Sequence, residues 1–142
     1  KVDVVLVAAG RAPNTEGLGL EAVGVKLTER GFIAVDGRMA TNVPGYYAIG
    51  DVAGPPLLAH KGSREGVVAA EVIAGLSPHA IDYSGVPGAT YCHPEVASVG
   101  LTEAAAKARG IAVKTGKFPF GAIAKSVILG EVGGERAGDC AA

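Results

Sequence analysis

Within Thr41–His60, reading TNVPGYYAIGDVAGPPLLAH, the short apolar segment Tyr46–Ile49 runs straight into Gly50 and Asp51. A loop through the Pro55–Pro56 pair then leads to a helix that starts near His60. A carboxylate at the end of a buried strand suits a polyhydroxy ligand, because it accepts hydrogen bonds and donates none. The helix start beyond it faces whatever part of that ligand becomes anionic. The corner therefore calls for a strand-to-helix fold with its ligand at the strand's carboxyl end.

The flanking sequence fits such a fold. Val2–Ala9 is a continuous Val/Leu/Ala run, typical of a strand buried on both faces of a parallel sheet. It ends at Gly10, where a bare backbone permits close approach of another chain or a ligand. Arg11–Asn14 reads as a turn. Leu18–Val23 reads as a short helical turn closed by Gly24. Val25–Leu27 and Phe32–Val35 flank Thr28–Gly31 as a hairpin, with Gly31 at the position that needs positive φ. Thr41 supports the loop before the corner. A helix is expected from about His60 to Ala74, with Gly75 as its stop. Val67, Val68, Ala70, Val72 and Ile73 nearly encircle it, which predicts a largely buried helix.

Leu76–Gly88, with two prolines, two serines and two glycines, reads as a connector between domains. Beyond it the pattern becomes α+β. Ala89–Cys92 and Val96–Val99 are expected to pair as antiparallel strands around His93-Pro94-Glu95. A helix follows, with Thr102 as N-cap, Glu103 and Lys107 spaced i,i+4, and Gly110 at its stop. Ile111–Phe120 and Lys125–Leu129 are expected as further strands. Gly133–Gly138 has no β-branched or aromatic residue and is not expected to continue the sheet. Such a half cannot bury its sheet faces unaided.

Hydrophobic residues make up 49% of the 142 and charged residues 19%, too apolar for disorder and unusually apolar for a small independent domain. A chain that opens at Lys1 without methionine, already in an apolar strand whose neighbours are missing, reads as a piece of a longer protein. The net charge of −1, with no Lys/Arg cluster, argues against nucleic acid as a partner. The run Val4–Ala9 is far shorter than the ~18 residues that mark a membrane span, and no signal peptide is visible. Cys92 and Cys140 have neither metal-binding nor redox spacing. Cys92 is expected as a small buried thiol and Cys140 as an incidental tail thiol. A reducing compartment, the cytoplasm, is the expected location.

Taken in order, VLVAAGRAPN, ATNVPGYYAIGDVAG, PLLAHKGSREG, CHPEVASVGLTE and KTGKFPF resemble the flavin-dependent pyridine nucleotide–disulfide oxidoreductases. The nearest likeness is to the dihydrolipoamide dehydrogenase branch, and it runs from Lys1 to about Glu131. The Gly-Asp pair is shared by many flavoproteins, whereas Leu58-Ala59-His60-Lys61 and Lys117-Phe118-Pro119-Phe120 are more specific to that branch. The resemblance implies an α/β FAD/NAD(P)-binding-type segment followed by the start of an α+β interface, or dimerisation, domain. Residues 1–10 would be the last strand of the NAD-binding domain, 11–84 the C-terminal part of the FAD-binding domain, and 85–142 an incomplete interface domain.

The resemblance also implies roles. Asp51 would hydrogen-bond the ribityl chain of FAD. Leu57, Leu58, Ala59 and His60 would bring backbone N–H groups and a helix start to the pyrimidine edge of the flavin. Leu57 stands where methionine is common. Gly10 would lie where the backbone passes close to NAD, and Arg11 would be an ion-pair partner at the domain junction. Neither His60 nor His93 is expected to be catalytic, since the family's acid–base histidine belongs to a separate His-Pro motif near the end of the full chain, paired with a glutamate. The complete protein would be a homodimer serving a 2-oxo acid dehydrogenase complex.

Several parts expected of a complete relative are not encoded here. There is no Gly-rich dinucleotide fingerprint and no closely spaced cysteine pair, and the terminal His and Glu are absent. The chain alone is therefore expected to be inactive and to contain no catalytic residue and no metal site. The alternatives are a piece of another disulfide reductase, of glutathione or mercuric type, or a non-catalytic remnant or assembly partner.

Overall fold

The computed structural model describes the backbone of residues 1–141 and the side chains of residues 1–134. The chain forms two compact units, Lys1–Val86 and Pro87–Ala142.

In the first unit, local chemistry shapes a series of tight corners. Helix α1, Leu20–Val23, closes on Gly24 at φ 74. The hairpin after it is held by an isolated bridge, Leu27 to Ile33. The Thr28 hydroxyl accepts the Phe32 N–H at 3.1 Å, and Gly31 takes φ 81 as its position demands. In the next loop the Asp36 carboxylate accepts the N–H groups of Arg38 at 2.8 Å and Ala40 at 3.0 Å. This bends the chain so that Met39, at φ 63, turns its side chain inward. Asn42 ties this region back to the start: its Oδ1 accepts the Lys26 N–H and its Nδ2 donates to the Gly24 carbonyl, each at 2.8 Å. The Thr41 hydroxyl accepts the Val43 N–H at 3.1 Å and so supports the loop as expected.

The segment Tyr46–Ile49 joins its neighbour only through a bridge from Ala40 to Tyr47. It enters a 3₁₀ turn, Gly50–Ala53, and then helix α2, Ala59–Ile73. Two small apolar clusters result. Val25, Ile33 and Ala48 form one, and Met39, Val68 and Ala69 form the other, with Tyr47 and Ile81 against it.

Three expectations for this unit need correction. Val2–Ala9 forms no strand, and its apolar side chains are exposed, Leu6 at 87%. A strand exists through ladder hydrogen bonds, and no described segment pairs with this one. Arg11–Asn14 is not a turn; the chain turns instead at Glu16–Gly17. Helix α2 is not largely buried. Val67 and Ile73 are exposed, and the buried face consists of Lys61, Glu65, Val68 and Ala69.

In the second unit, β1 (Gly88–Thr90) pairs antiparallel with β2 (Val96–Ser98), setting Ala89 opposite Ala97. Helix α3, Glu103–Ala108, begins as its sequence predicts. The Thr102 hydroxyl accepts the Ala105 N–H at 3.2 Å, and Lys107 bonds Glu103 at 2.7 Å. That bond, and the Lys107 charge, hold the Glu103 carboxyl below its usual range. Strand β3, Val113–Pro119, follows. Lys125–Leu129, expected as a strand, lies instead in helix α4, Ala124–Leu129, stopped by Gly130 at φ 72. Short apolar runs do not by their pattern distinguish strand from helix. The glycine-rich tail does extend the sheet: β4, Glu135–Ala141, pairs with β3, Gly138 opposite Gly116. Partner hydrogen bonds here override weak strand propensity. Cys92 is exposed rather than buried, with its thiol 2.9 Å from the Pro94 carbonyl, because it sits in the bend between β1 and β2. The Cys140 side chain lies outside the described residues.

Candidate functional site

The corner at Gly50 places its aspartate outward. Gly50 has φ 74, a left-handed conformation that costs glycine nothing and most other residues roughly 1–2 kcal/mol. The 3₁₀ turn that follows puts Asp51 at its second position with the side chain 58% exposed. Its carboxylate lies 3.6 Å from the Arg11 guanidinium, an exposed pair contributing at most about 1 kcal/mol.

The backbone of this turn is gripped by side chains of α2, which the sequence reading left without a role. Lys61 and Glu65 are 1% and 2% exposed and pair with each other at 3.2 Å. Glu65 Oε2 accepts the Gly50 N–H at 2.7 Å. Lys61 Nζ donates to the Gly50 carbonyl at 2.9 Å and to the Gly54 carbonyl at 2.7 Å. The ammonium thus uses its three donors on two carbonyls and one carboxylate. Behind them the Tyr83 hydroxyl donates to Glu65 Oε1 at 2.8 Å. Every described buried side-chain polar atom has a partner, which is what makes a buried charge pair tolerable.

Two glycines let α2 come this close. A Cβ on Gly62 would lie 3.0 Å from the Gly50 α-carbon, and one on Gly66 would lie 3.3 Å from Ile49 Cδ1. The pattern Lys-Gly-x-x-Glu-Gly from residue 61 is therefore a legible signal. The paired small residues mark where the helix meets Ile49 and Gly50, and the charges beside them lie on the same face.

Burial pushes the Tyr83 phenol up to about 12, helped by its hydrogen bond to Glu65 and by that carboxylate's charge. The folded state therefore holds this proton between pH ~10 and ~12, where a free tyrosine loses it. Its stabilisation is complete below pH ~10 and is lost as pH rises through about 12. Tyr83 is 39% exposed, which reduces the effect to about 1 kcal/mol. In an ultraviolet titration one of the four tyrosines should ionise only near pH 12, and Tyr83→Phe should remove that step. Four tyrosines all ionising near pH 10 would contradict the hydrogen bond.

Leu57 and Leu58 form the entrance to α2. Leu58 is the N-cap, no side chain caps the helix there, and its own N–H is bonded to the Pro56 carbonyl at 3.0 Å. Ala59 and His60 begin the first turn and are exposed. The first-turn N–H groups of an α-helix have no acceptor within the helix itself, and the positive end of the helix dipole lies there. Gly10 has φ 81, with open space where a Cβ would lie. An open cleft of about 410 Å³ includes Ala53 and Gly54 but neither Asp51 nor Leu57–His60. His93 lies in the bend between β1 and β2, 4.0 Å from Glu131.

Residues 1–66 match the family described as pyridine nucleotide-disulphide oxidoreductase, and residues 86–136 match the dimerisation domain of the same family. Dihydrolipoyl dehydrogenase of Thermus scotoductus is 58% identical over 129 residues, 91% of this chain and 28% of that protein. The chain belongs to the pyridine nucleotide–disulphide oxidoreductases. It spans about 28% of the length of that relative. Among solved structures, LpdA from Mycobacterium tuberculosis matches with a TM-score of 0.83 and 30% identity, over 92% of this chain and 28% of that one. The HOCl-induced flavoprotein disulfide reductase RclA from Escherichia coli matches with a TM-score of 0.84 and 26% identity, over 94% of this chain and 31% of that one. The fold is thus the expected one, an oxidoreductase segment followed by dimerisation-domain structure. Among the described residues no helix is long and apolar enough to cross a membrane.

Proposed function

We propose that this chain is the flavin-facing and interface-opening stretch of a dihydrolipoyl dehydrogenase, an FAD-dependent enzyme that passes electrons from dihydrolipoamide through a disulfide to NAD. The observation that carries the reading is the Asp51 carboxylate, exposed at the tip of a turn whose backbone is held on both sides, next to an uncapped helix start. Such a carboxylate fits ribityl hydroxyls, and the helix start fits the anionic pyrimidine edge, worth about 0.3–2 kcal/mol through its dipole. When bound, the flavin supplies two-electron transfer. Asp51 orients it, and the entrance of α2, from Leu57 to His60, stabilises negative charge on it. Leu58 acts there through its position at the cap, because its N–H is already engaged.

The domain reading belongs to the same proposal. Residues 1–10 would become the last strand of an NAD-binding domain where neighbouring strands pair with them, and their exposed apolar side chains support a place in a sheet completed elsewhere. There Gly10 gives the backbone its close approach to NAD. Residues 11–84 belong to the FAD-binding domain. Residues 85–142 open an interface domain, and exposed Tyr91, Val96, Val99 and Ile128 support their burial against a second copy. A 2-oxo acid dehydrogenase complex would be the assembly served. The dihydrolipoyl reading is preferred to another disulfide reductase because the identity to dihydrolipoyl dehydrogenases is about twice that to RclA.

In the full-length protein reconstituted with FAD, Asp51→Asn should raise the dissociation constant about tenfold or more, the weight of a charge-assisted hydrogen bond. An unchanged constant in equilibrium dialysis would remove Asp51 from the flavin site.

A further inference from the structure

We infer that Lys61 and Glu65, backed by Tyr83, are positioning residues that aim the Asp51 carboxylate at its ligand. This rests on the reading of Asp51 as the flavin anchor and extends it to side chains that touch no ligand themselves. Lys61 and Glu65 hold both polar groups of Gly50 and the carbonyl of Gly54. Those atoms bracket the turn that carries Asp51, and the Gly54 N–H closes it on the Asp51 carbonyl at 3.2 Å. The direction in which the Asp51 side chain leaves the turn is therefore set by an ion pair inside α2. A well-packed apolar pair would stabilise a helix at least as well as buried charges do. Charges are needed here because the groups they hold are backbone donors and acceptors. Tyr83 fixes Glu65 Oε1, leaving Oε2 for Gly50.

A positioning role differs from general stabilisation in one measurable way: it acts through Asp51. The test is a double-mutant cycle on FAD affinity in the full-length protein, combining Glu65→Gln with Asp51→Asn, with thermal melts of each apoprotein. Glu65→Gln should weaken FAD about tenfold when Asp51 is present and less than about twofold in the Asp51→Asn background. Equal losses in both backgrounds, or no loss, would overturn the inference. Where Glu65→Gln fails to fold, Tyr83→Phe takes its place in the cycle, with an expected loss of about threefold that again vanishes in the Asp51→Asn background. Hydrogen exchange at the Gly50 amide gives a readout independent of flavin. Faster exchange in the Glu65→Gln or Tyr83→Phe protein supports the clamp, and unchanged exchange overturns it. If Asp51→Asn leaves FAD affinity unchanged while Gly50 exchange quickens, the clamp stands and the flavin assignment alone fails.

Discussion

Lys61→Met should destabilise the first unit by about 3–5 kcal/mol, the cost of leaving one member of a buried ion pair without the other. Methionine fills the space of the lysine stem but leaves the Glu65 carboxylate buried without its cation, and the carbonyls of Gly50 and Gly54 without their donor. Against a total stability of about 5–15 kcal/mol, this is a large fraction. Combining Lys61→Met with Glu65→Leu removes the orphaned charge but leaves the Gly50 N–H and both carbonyls without partners, at about 1–3 kcal/mol for each buried unsatisfied group, so the double variant should stay well below the wild type. Urea unfolding of the wild type, the single and the double variant separates these contributions. A double variant as stable as the wild type would show that the clamped backbone adds nothing.

Met39→Ala should cost about 2–5 kcal/mol, since Met39 is 1% exposed and packs with Val68 and Ala69. Its backbone adds a second prediction with a definite sign. Met39 sits at φ 63, so alanine keeps the strain of a left-handed residue while losing the packing. Glycine loses the Cβ contacts as well, about 0.8 kcal/mol, but removes that strain, worth roughly 1–2 kcal/mol. Met39→Gly should therefore be no less stable than Met39→Ala, the reverse of the order in a helix interior. A clearly less stable glycine variant in thermal melts would show that the left-handed conformation carries no cost here.

The features legible in the sequence were those encoded within a few residues. Gly31 needed positive φ, Thr102 could cap α3, and Gly24 and Gly110 could stop helices, and each does so. The Gly50-Asp51 corner was legible for the same reason. What failed depended on surroundings. Val2–Ala9 has the composition of a central strand, but a strand needs neighbours, and none of the described residues supplies them. Lys125–Leu129 is too short for pattern to separate strand from helix, and Gly130 then stops it as a helix. The glycine-rich tail lacks strand propensity yet pairs along β3. On α2, residue type points to the apolar positions as core, whereas the buried face also holds Lys61 and Glu65 because backbone atoms need partners there. Hydropathy alone does not show that need; the spacing of Gly62 and Gly66 does.

The grip on Gly50 closes over short distances along the chain, from residues 11 and 15 positions later. The contact between Tyr83 and Met39 spans 44 positions. Closing the longer loop costs about 1.2 kcal/mol more than closing the shorter, two doublings at about 0.6 kcal/mol each. Gly50–Glu65 is thus close to a portable cassette: corner, exposed aspartate, helix entrance and the side chains that lock them are written in one contiguous stretch. A scaffold receiving this stretch would need to supply little more than an apolar surface beneath it and a hydroxyl to take the place of Tyr83.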